Sequence, residues 1–379
     1  LRAEPVQTQL SPPKDDPGDP ALVGLIRAEI ERDGPITFAR FMERALYEPG
    51  LGYYATSAAR PTRAGDFLTA PELHPVFGHA LARQLDEMWR RMGRPEPFVV
   101  REYGAGTGTL FLALLDGLLR IDSGLAGAIS YQPIEIEGRL PQAEHRREPF
   151  AGCVVANEFL DALPVHRVVQ QVDGAHELLV DWRDGRFVEE AGGRAAPRVA
   201  SWFVDRDIQL EPGQRAEVNL AMTDWLAEVG HDLEAGYVLV IDYGLPPAEL
   251  YGAARQTGTL RAFSAQHVSS DVLGGVGRRD LTAHVDLDAF ERAARGAGLE
   301  VLGRTRQAEF LLGCGLEEAY ADARADADAD WQPAIDLRAA VRRLLDPRAL
   351  GGYAVVVLGC GVEREPPLRG LAFAAPARG

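Results

Sequence analysis

The residues best placed to hold a ligand lie in one short run. Glu102 stands near the end of a β-rich stretch, Phe98 to Tyr103, and Gly104, Gly106 and Gly108 follow at alternate positions with Ala105 between the first two. Thr109 then opens an apolar stretch at helical spacing, with Leu110, Leu114, Leu115, Leu118 and Leu119 on it, so the run predicts strand, glycine turn and helix. Glycines at such a turn let the backbone approach a ligand closely and adopt φ values that a side chain disfavours. The spacing narrows the ligand. A dinucleotide fingerprint needs Gly or Ala where Thr109 stands, and a phosphate-binding P-loop needs a Lys at the helix start, where there is none.

What remains is the pattern acidic-x-G-x-G-x-G, the loop under the amino-acid and ribose parts of S-adenosylmethionine in class I methyltransferases, or a turn that only joins strand to helix. On the first reading Glu102 sits near the cofactor's amino-acid end. Ser130 to Ile136 reads as the next strand, and an acidic side chain at its tip, Glu135, can accept hydrogen bonds from both ribose hydroxyls. A third buried-type strand, Gly152 to Ala156, runs into Asn157-Glu158-Phe159-Leu160-Asp161-Ala162-Leu163-Pro164. Open α/β sheets bind ligands outside the carboxyl ends of their strands, so Asn157, Glu158 and Asp161 are expected to face the same cleft, with helix capping as their other use. Asp66, in a loop carrying Gly65-Asp66-Phe67, joins the site if that loop closes over the cofactor; otherwise it is a turn residue. His284 is either a general base for a neutral acceptor or a structural histidine.

The elements that must position these groups can be read in order. Leu1 to Pro20 is polar and proline-rich, and disorder is expected there. Ala21 to Asp33 is an amphipathic helix ending at Gly34-Pro35, and Thr37 caps a second helix to about Tyr47. Thr69-Ala70-Pro71-Glu72 matches a capping box before a helical run toward Arg91. Glu177 to Glu189 is a hairpin about Asp184-Gly185, and Ala216 to Val229 a helix. Tyr237 to Tyr243 is the clearest buried strand. Gly258 to Leu281 is loop-rich, Asp286 caps a helix from Leu287 to about Gly296, and Leu299 to Thr305 and Tyr353 to Cys360 are two late strands suited to an antiparallel edge. Ala321 to Asp330 is an acidic low-complexity segment expected to be solvated.

Composition excludes several classes. With 379 residues, 46% hydrophobic and 25% charged, the chain has the make-up of an ordinary globular protein with room for a large core. A formal charge of −16 opposes nucleic acids as partners. Lys14 is the only lysine, which removes Schiff-base chemistry from consideration. Cys153, Cys314 and Cys360 are odd in number and widely spaced, so neither a disulfide framework nor a metal site is indicated. No apolar run approaches the ~20 residues of a membrane span. With no secretion signal at the start, a cytoplasmic location is the expectation, and the Arg/Ala/Gly excess points to a GC-rich, bacterial source.

Six stretches together resemble the MidA family: Gly65-Asp66-Phe67 with Thr69-Ala70-Pro71-Glu72, the loop Glu102 to Leu110, Ala156 to Pro164, Ile241-Asp242-Tyr243-Gly244, Gly258-Thr259-Leu260, and Asp280 to Asp286. These class I methyltransferases include a mitochondrial complex I assembly factor and many bacterial members. The resemblance spans about 34–315. It implies a Rossmann-like α/β methyltransferase core with a covering α-helical insertion, S-adenosyl-L-methionine as cofactor and S-adenosyl-L-homocysteine as product, and an arginine side chain of a protein partner as acceptor. Position by position, it implies a cofactor loop at Gly104, Gly106 and Gly108, a ribose contact at Glu135, and an acceptor side made by the Asn157 to Asp161 turn with His284. The family loop usually reads Leu-Gly-Pro-Gly-Arg-Gly-Thr-Leu; here Tyr103, Ala105 and Thr107 replace its Leu, Pro and Arg. The short segment between Glu137 and Val154 implies a reduced or missing third strand.

The expected organisation is therefore a leader at 1–20, an N-terminal helical region and lid loop at 21–97, a methyltransferase core at 98–362 with helical and hairpin insertions near 165–235 and 258–285, and a flexible tail at 363–379. Glu158, Asp161 and His284 are the expected catalytic groups. Asp66, Glu102, Gly104, Ala105, Gly106, Gly108, Glu135, Asn157 and Glu158 are the expected cofactor contacts. A small-molecule O- or N-methyltransferase and a non-catalytic assembly factor with a vestigial cofactor site are the rival functions, and a homodimer is the expected assembly if there is one.

Overall fold

Four strands are largely buried and rich in β-branched residues, as a sheet covered on both faces requires: Phe98–Tyr103, Phe150–Asn157, Leu233–Asp242 and Ala354–Cys360. The computed structural model describes residues 16–57, 69–135, 148–264, 267–326 and 331–374. With Ile129–Ile134 and Glu300–Arg306, the four strands make one six-stranded sheet in the order 300–306, 354–360, 233–242, 150–157, 98–103, 129–134. The last four of these run parallel, and Ala354–Cys360 is antiparallel to both its neighbours. This is the Rossmann-like sheet with an antiparallel edge. The chain leaves Phe98–Tyr103 toward one edge and returns on its other side at Phe150–Asn157, so the carboxyl ends of these strands flank the topological switch point. Among the described residues Ile129–Ile134 ends the sheet, in keeping with the short segment that follows it.

Helices cover both faces. On one, Phe77, Leu81 and Met88 of helix Val76–Arg91 and Leu114 and Leu118 of helix Thr109–Arg120 pack against Phe98 and Val100. On the other, Trp225 and Leu226 of helix Leu220–Asp232 and Phe290 of helix Leu287–Gly296 meet Val154, Val238 and Val356. Asp286 caps the last of these helices, accepting from the Ala289 N–H at 3.0 Å.

A second core is assembled from segments far apart in sequence. Helix Pro20–Asp33, capped by Asp19, and helix Phe38–Tyr47, capped by Thr37, supply Leu22, Ile26, Phe38, Phe41 and Leu46. Val165, Val180, Phe187, Leu260, Ala262 and Leu281 close on them. The first insertion is mixed, with helices Pro197–Val204 and Leu220–Asp232 beside an antiparallel sheet. His166–Gln171, Gly174–Arg183, Arg186–Arg194 and Arg215–Val218 pair antiparallel, with Ile36–Thr37 from the N-terminal region added at one side. The hairpin about Asp184-Gly185 is present, but the helix expected from Ala216 starts only at Leu220. Ala216 and Val218 are buried in the strand that pairs with His166–Val169, and Asn219 caps the helix by accepting from Met222 N–H. The loop-rich stretch near 258–281 contains a three-stranded sheet, 267–269, 261–264 and 280–282.

The expected free tail is anchored at least to Leu371. Leu368 and Leu371 are buried, Gly370 N–H donates to Gln84 Oε1 at 2.8 Å, and Arg369 N–H to Glu87 Oε2 at 2.9 Å. Of the acidic segment, Ala321 to Asp326 lies on helix Leu316–Asp326 and is mostly exposed. Among the described residues no helix is long and apolar enough to cross a membrane.

Candidate active site

The glycine turn takes the shape that its composition allows. Gly104, Gly106 and Gly108 have φ of 70°, 56° and 75°, the left-handed region that side chains rarely enter. Among the described residues a Cβ added at Gly106 or Gly108 would meet no atom within 4 Å, and one at Gly104 would approach Phe159 at 3.4 Å. The described residues thus leave the space over the loop open. Gly108 N–H closes the turn on Ala105 C=O at 2.8 Å, and Gly106 N–H donates to the carboxylate of Glu135, which stands just past the end of the neighbouring strand. Glu102 is buried beneath the loop, accepting from Tyr131 O–H at 2.8 Å. Burial, with the Glu135 charge adding to it, pushes its carboxyl up to about 7.

The turn after Phe150–Asn157 is held from below by Asp242, at the end of the adjacent strand. Its Oδ2 accepts from Phe159 N–H at 3.1 Å and Leu160 N–H at 2.7 Å, and its Oδ1 from Tyr243 N–H at 2.7 Å. Glu158 N–H reaches Ile241 C=O at 2.8 Å, which fixes Glu158 at φ 50°. Such a conformation is uncommon for a side-chain-bearing residue and persists where surrounding bonds over-determine it. Glu158 Oε1 accepts from Ala70 N–H and Asn157 Nδ2, both at 3.3 Å. Burial pushes this carboxyl up to about 8. Asn157 Oδ1 is buried with no donor among the described residues, an acceptor left for a ligand. Asp161 is 4% exposed and is pushed well up by burial and then by the charges of Asp242, Asp280 and Glu158.

The second core closes the cleft from the other side with Tyr47, Tyr53, Tyr54, Phe263, Asp280 and Thr282. Six carboxylates line the space, Glu72, Glu102, Glu135, Glu158, Asp161 and Asp280, and among the described lining residues there is no Arg, Lys or His. Glu102, Gly104, Ala105, Gly106, Glu135, Asn157, Glu158 and Asp161 are brought together here. Gly108 ends the same turn. Asp66 lies outside the described residues. His284 is not in the lining; its ring lies beside that of Tyr243 at 6.0 Å, and its N–H donates to Thr259 Oγ1 at 3.0 Å. Burial, then the charges of Arg255 and Arg261, push its pKa down to about 4, so at neutral pH it is an uncharged and weak base. Asp242 and Asp280 were not singled out as site residues, although Asp242 has a legible signal: an acid at the carboxyl end of the most buried strand in a sheet of this kind.

The raised carboxyl of Glu158 has a consequence for stability. Between the unfolded value of about 4.3 and the folded value of about 8, the folded state keeps a proton that the unfolded chain has lost, so stability falls as pH rises through that window. A glutamine there cannot ionise. Glu158→Gln is expected to match the wild type in melting temperature near pH ~5 and to exceed it near pH ~8.5. Thermal unfolding of both proteins across that range checks this, and a gap that stays constant with pH would remove the buried charge from the account.

A family model described as S-adenosyl-L-methionine-dependent methyltransferase matches residues 80–147 and 140–305, more than half of the chain. The chain belongs to this MidA-like methyltransferase family. A protein arginine methyltransferase NDUFAF7 homolog of Drosophila melanogaster, named as mitochondrial, is 29% identical to it over 394 residues, covering 90% of this chain and 87% of that protein. The mitochondrial NDUFAF7 of Xenopus tropicalis is 30% identical over 346 residues, covering 78% and 76%. A solved Burkholderia thailandensis protein bound to S-adenosyl-homocysteine superposes with a TM-score of 0.81 at 32% identity, covering 93% of this methyltransferase and 95% of that chain. The cytoplasmic expectation is overturned by the curated relatives, which are named as mitochondrial proteins, and these animal relatives lend no support to a bacterial source.

The methyltransferase uses S-adenosyl-L-methionine, and the residues present fit it. The open glycine cradle, the carboxylate beside Gly106 and the orphan Asn157 oxygen offer polar contacts. The anionic lining suits a ligand that carries a sulfonium and an ammonium.

Proposed function

We propose that this methyltransferase methylates an arginine side chain of a protein partner, with Glu102, Glu135, Asn157 and the glycine loop holding the cofactor and Glu158 and Asp161 holding the acceptor. The observation that carries this reading is the set of six carboxylates in a cleft whose described lining holds no cation. Glu102, Glu158 and Asp161 are held there against the cost of burying their charge, as their raised carboxyls record. A second cation beside the sulfonium relieves it. A guanidinium keeps its charge in any protein site, with a pKa above ~12, and its planar fork of N–H groups matches carboxylate geometry. The curated relatives are named protein arginine methyltransferases, which points the same way; their names give no support to a small-molecule acceptor or to a homodimer.

S-Adenosylmethionine, when bound, supplies a methyl group that passes to nitrogen while the carbon–sulfur electron pair stays on sulfur. The chain's part is to hold the acceptor aligned, and positioning of that kind is worth up to ~7–11 kcal/mol. Glu158, with its pKa near neutrality, gives up its proton when the guanidinium arrives, because an opposite charge favours the ionised form. It then accepts hydrogen bonds from the guanidinium and takes the proton that the methylated nitrogen loses. Asp161 sits deeper and stabilises the positive charge throughout.

The test is to incubate the protein with methyl-labelled S-adenosylmethionine and a mitochondrial extract, then hydrolyse the protein fraction to amino acids. Label in methylarginine is the expected result. Label only in small molecules, or no cofactor binding by calorimetry, would overturn the reading.

A further inference from the structure

The stretches 258–260 and 280–286 meet behind the cleft, and one buried carboxylate of the covering sheet holds them there. Glu217 lies on strand Arg215–Val218, paired in register with Arg167 of His166–Gln171. Its Oε2 accepts from the main-chain N–H of Thr259 at 2.8 Å and from the Thr259 O–H at 3.2 Å. The same hydroxyl oxygen of Thr259, a residue 3% exposed, accepts from the main-chain N–H of His284 at 3.0 Å. The N–H before it, that of Ala283, donates to Asp161 C=O at 2.9 Å. A continuous path of hydrogen bonds and one peptide link therefore runs from the covering sheet to the turn that carries Asp161. Gly258, at φ 75°, marks the closest approach on this path, since an added Cβ would lie 2.1 Å from Glu217 Oε1. On its far side Glu217 Oε1 faces Arg167 Nε at 3.6 Å, and neither atom has a hydrogen-bond partner among the described residues. A buried pair that long recovers little of what it costs to take two charges out of water. What the carboxylate supplies is direction. Two charge-assisted bonds fix Thr259, and a hydroxyl whose hydrogen is committed to Glu217 leaves its lone pairs aimed at His284 N–H.

We propose that Thr259, held by Glu217, is a positioning residue for methyl transfer, fixing the main chain of 283–284 and through it the turn that carries Asp161. This rests on the arginine reading above, which sets Asp161 against the acceptor, and adds the support that keeps it aligned. Thr259 lies outside the described lining of the cleft, so it acts through Ala283. Misplacing an aligned group by about 1 Å can lower a rate by up to ~10²-fold. The glycine loop and Glu135 stand at the ends of strands Phe98–Tyr103 and Ile129–Ile134, which this path of bonds does not touch. The expected signature is thus a loss of transfer without a loss of cofactor.

The experiment measures two quantities on the full chain: S-adenosylhomocysteine affinity by calorimetry, and the initial rate of methylarginine formation from saturating methyl-labelled S-adenosylmethionine and a mitochondrial extract. Thr259→Val keeps the shape and removes the hydroxyl, whereas Thr259→Ser keeps the hydroxyl and removes a buried methyl group. Thr259→Val is expected to lose about tenfold in rate with S-adenosylhomocysteine affinity within about twofold, and Thr259→Ser to stay within about threefold of the wild-type rate although it too melts lower. A merely structural role would make the rate follow the melting temperature; a positioning role makes it follow the hydroxyl. A Thr259→Val protein that binds S-adenosylhomocysteine and transfers at the wild-type rate, or a Thr259→Ser protein as slow as Thr259→Val, overturns the positioning role and leaves the arginine reading standing. No methylarginine from the wild type overturns both. Should Thr259→Val fail to bind S-adenosylhomocysteine, Glu217→Gln carries the test. Its amide oxygen accepts from Thr259 without a charge, so a loss of about threefold in rate is expected, and an unchanged rate is the overturning result.

Discussion

Gly106→Val is expected to fold and to lose the cofactor. The substitution places a β-branched residue at φ 56°, a conformation that costs an L-residue roughly 1–3 kcal/mol. Among the described residues nothing would be struck, since a Cβ there has no neighbour within 4 Å. The added methyl groups enter the open space that the cofactor needs, and the distorted turn pulls Gly106 N–H away from Glu135. The expected effect is a loss of S-adenosylhomocysteine affinity of about a hundredfold or more, some 2.8 kcal/mol, beside a drop of only a few degrees in melting temperature. Calorimetry and a thermal melt on the same sample separate the two. Cofactor affinity within about threefold of wild type would mean that the ligand does not lie over this loop. Gly104 makes a poorer test, because a side chain there meets Phe159 and would disturb the adjoining turn as well.

The glycine loop was legible in the sequence because its requirement is local. A strand, three residues free to take positive φ and a helix are all written within the span from Phe98 to Arg120. Glu135 was legible for a similar reason, as the acid at the tip of the next parallel strand. What escaped was set by pairing at a distance. Arg215–Val218 carries a helical spacing of apolar residues into helix Leu220–Asp232, and only the partner strand His166–Gln171 decides that it is extended. The covering region likewise has no continuous signature. Its core takes Phe41 from one end of the chain, Phe187 from the middle and Leu281 from much later, and each piece alone reads as a short amphipathic element. Asp242 was read as a strand terminus. Its role as the anchor of Phe159 and Leu160 depends on backbone N–H groups eighty residues upstream, which no local pattern reports. His284 is the converse case: a histidine in a diagnostic string invites a catalytic role, and the structure places it beside Tyr243, outside the described lining.

Glu158→Gln is expected to keep the cofactor and lose methyl transfer. The glutamine oxygen can still accept from Ala70 N–H and Asn157 Nδ2, so the contacts that Oε1 makes survive. The turn itself is held at φ 50° by the Glu158 N–H bond to Ile241 and by Asp242, neither of which involves the altered group. The variant therefore changes charge and proton affinity while preserving shape. It cannot become an anion when a guanidinium arrives, and it cannot receive the proton that the methylated nitrogen releases. Removing one aimed electrostatic partner of this kind costs about 10²–10³ in kcat, some 2.7–4 kcal/mol. The pH profile makes the assignment sharper than the rate alone. In the wild type, kcat/KM reports the free enzyme's ionisations. A carboxyl near about 8 that must be charged to act gives a rate that climbs with pH toward that value and then levels. In the variant that limb should vanish, leaving a low rate across the same range, while S-adenosylhomocysteine affinity stays within a few-fold of wild type. Retention of the limb in Glu158→Gln would transfer the role to Asp161, the more deeply buried carboxylate of the turn. Wild-type turnover would remove Glu158 from the mechanism altogether.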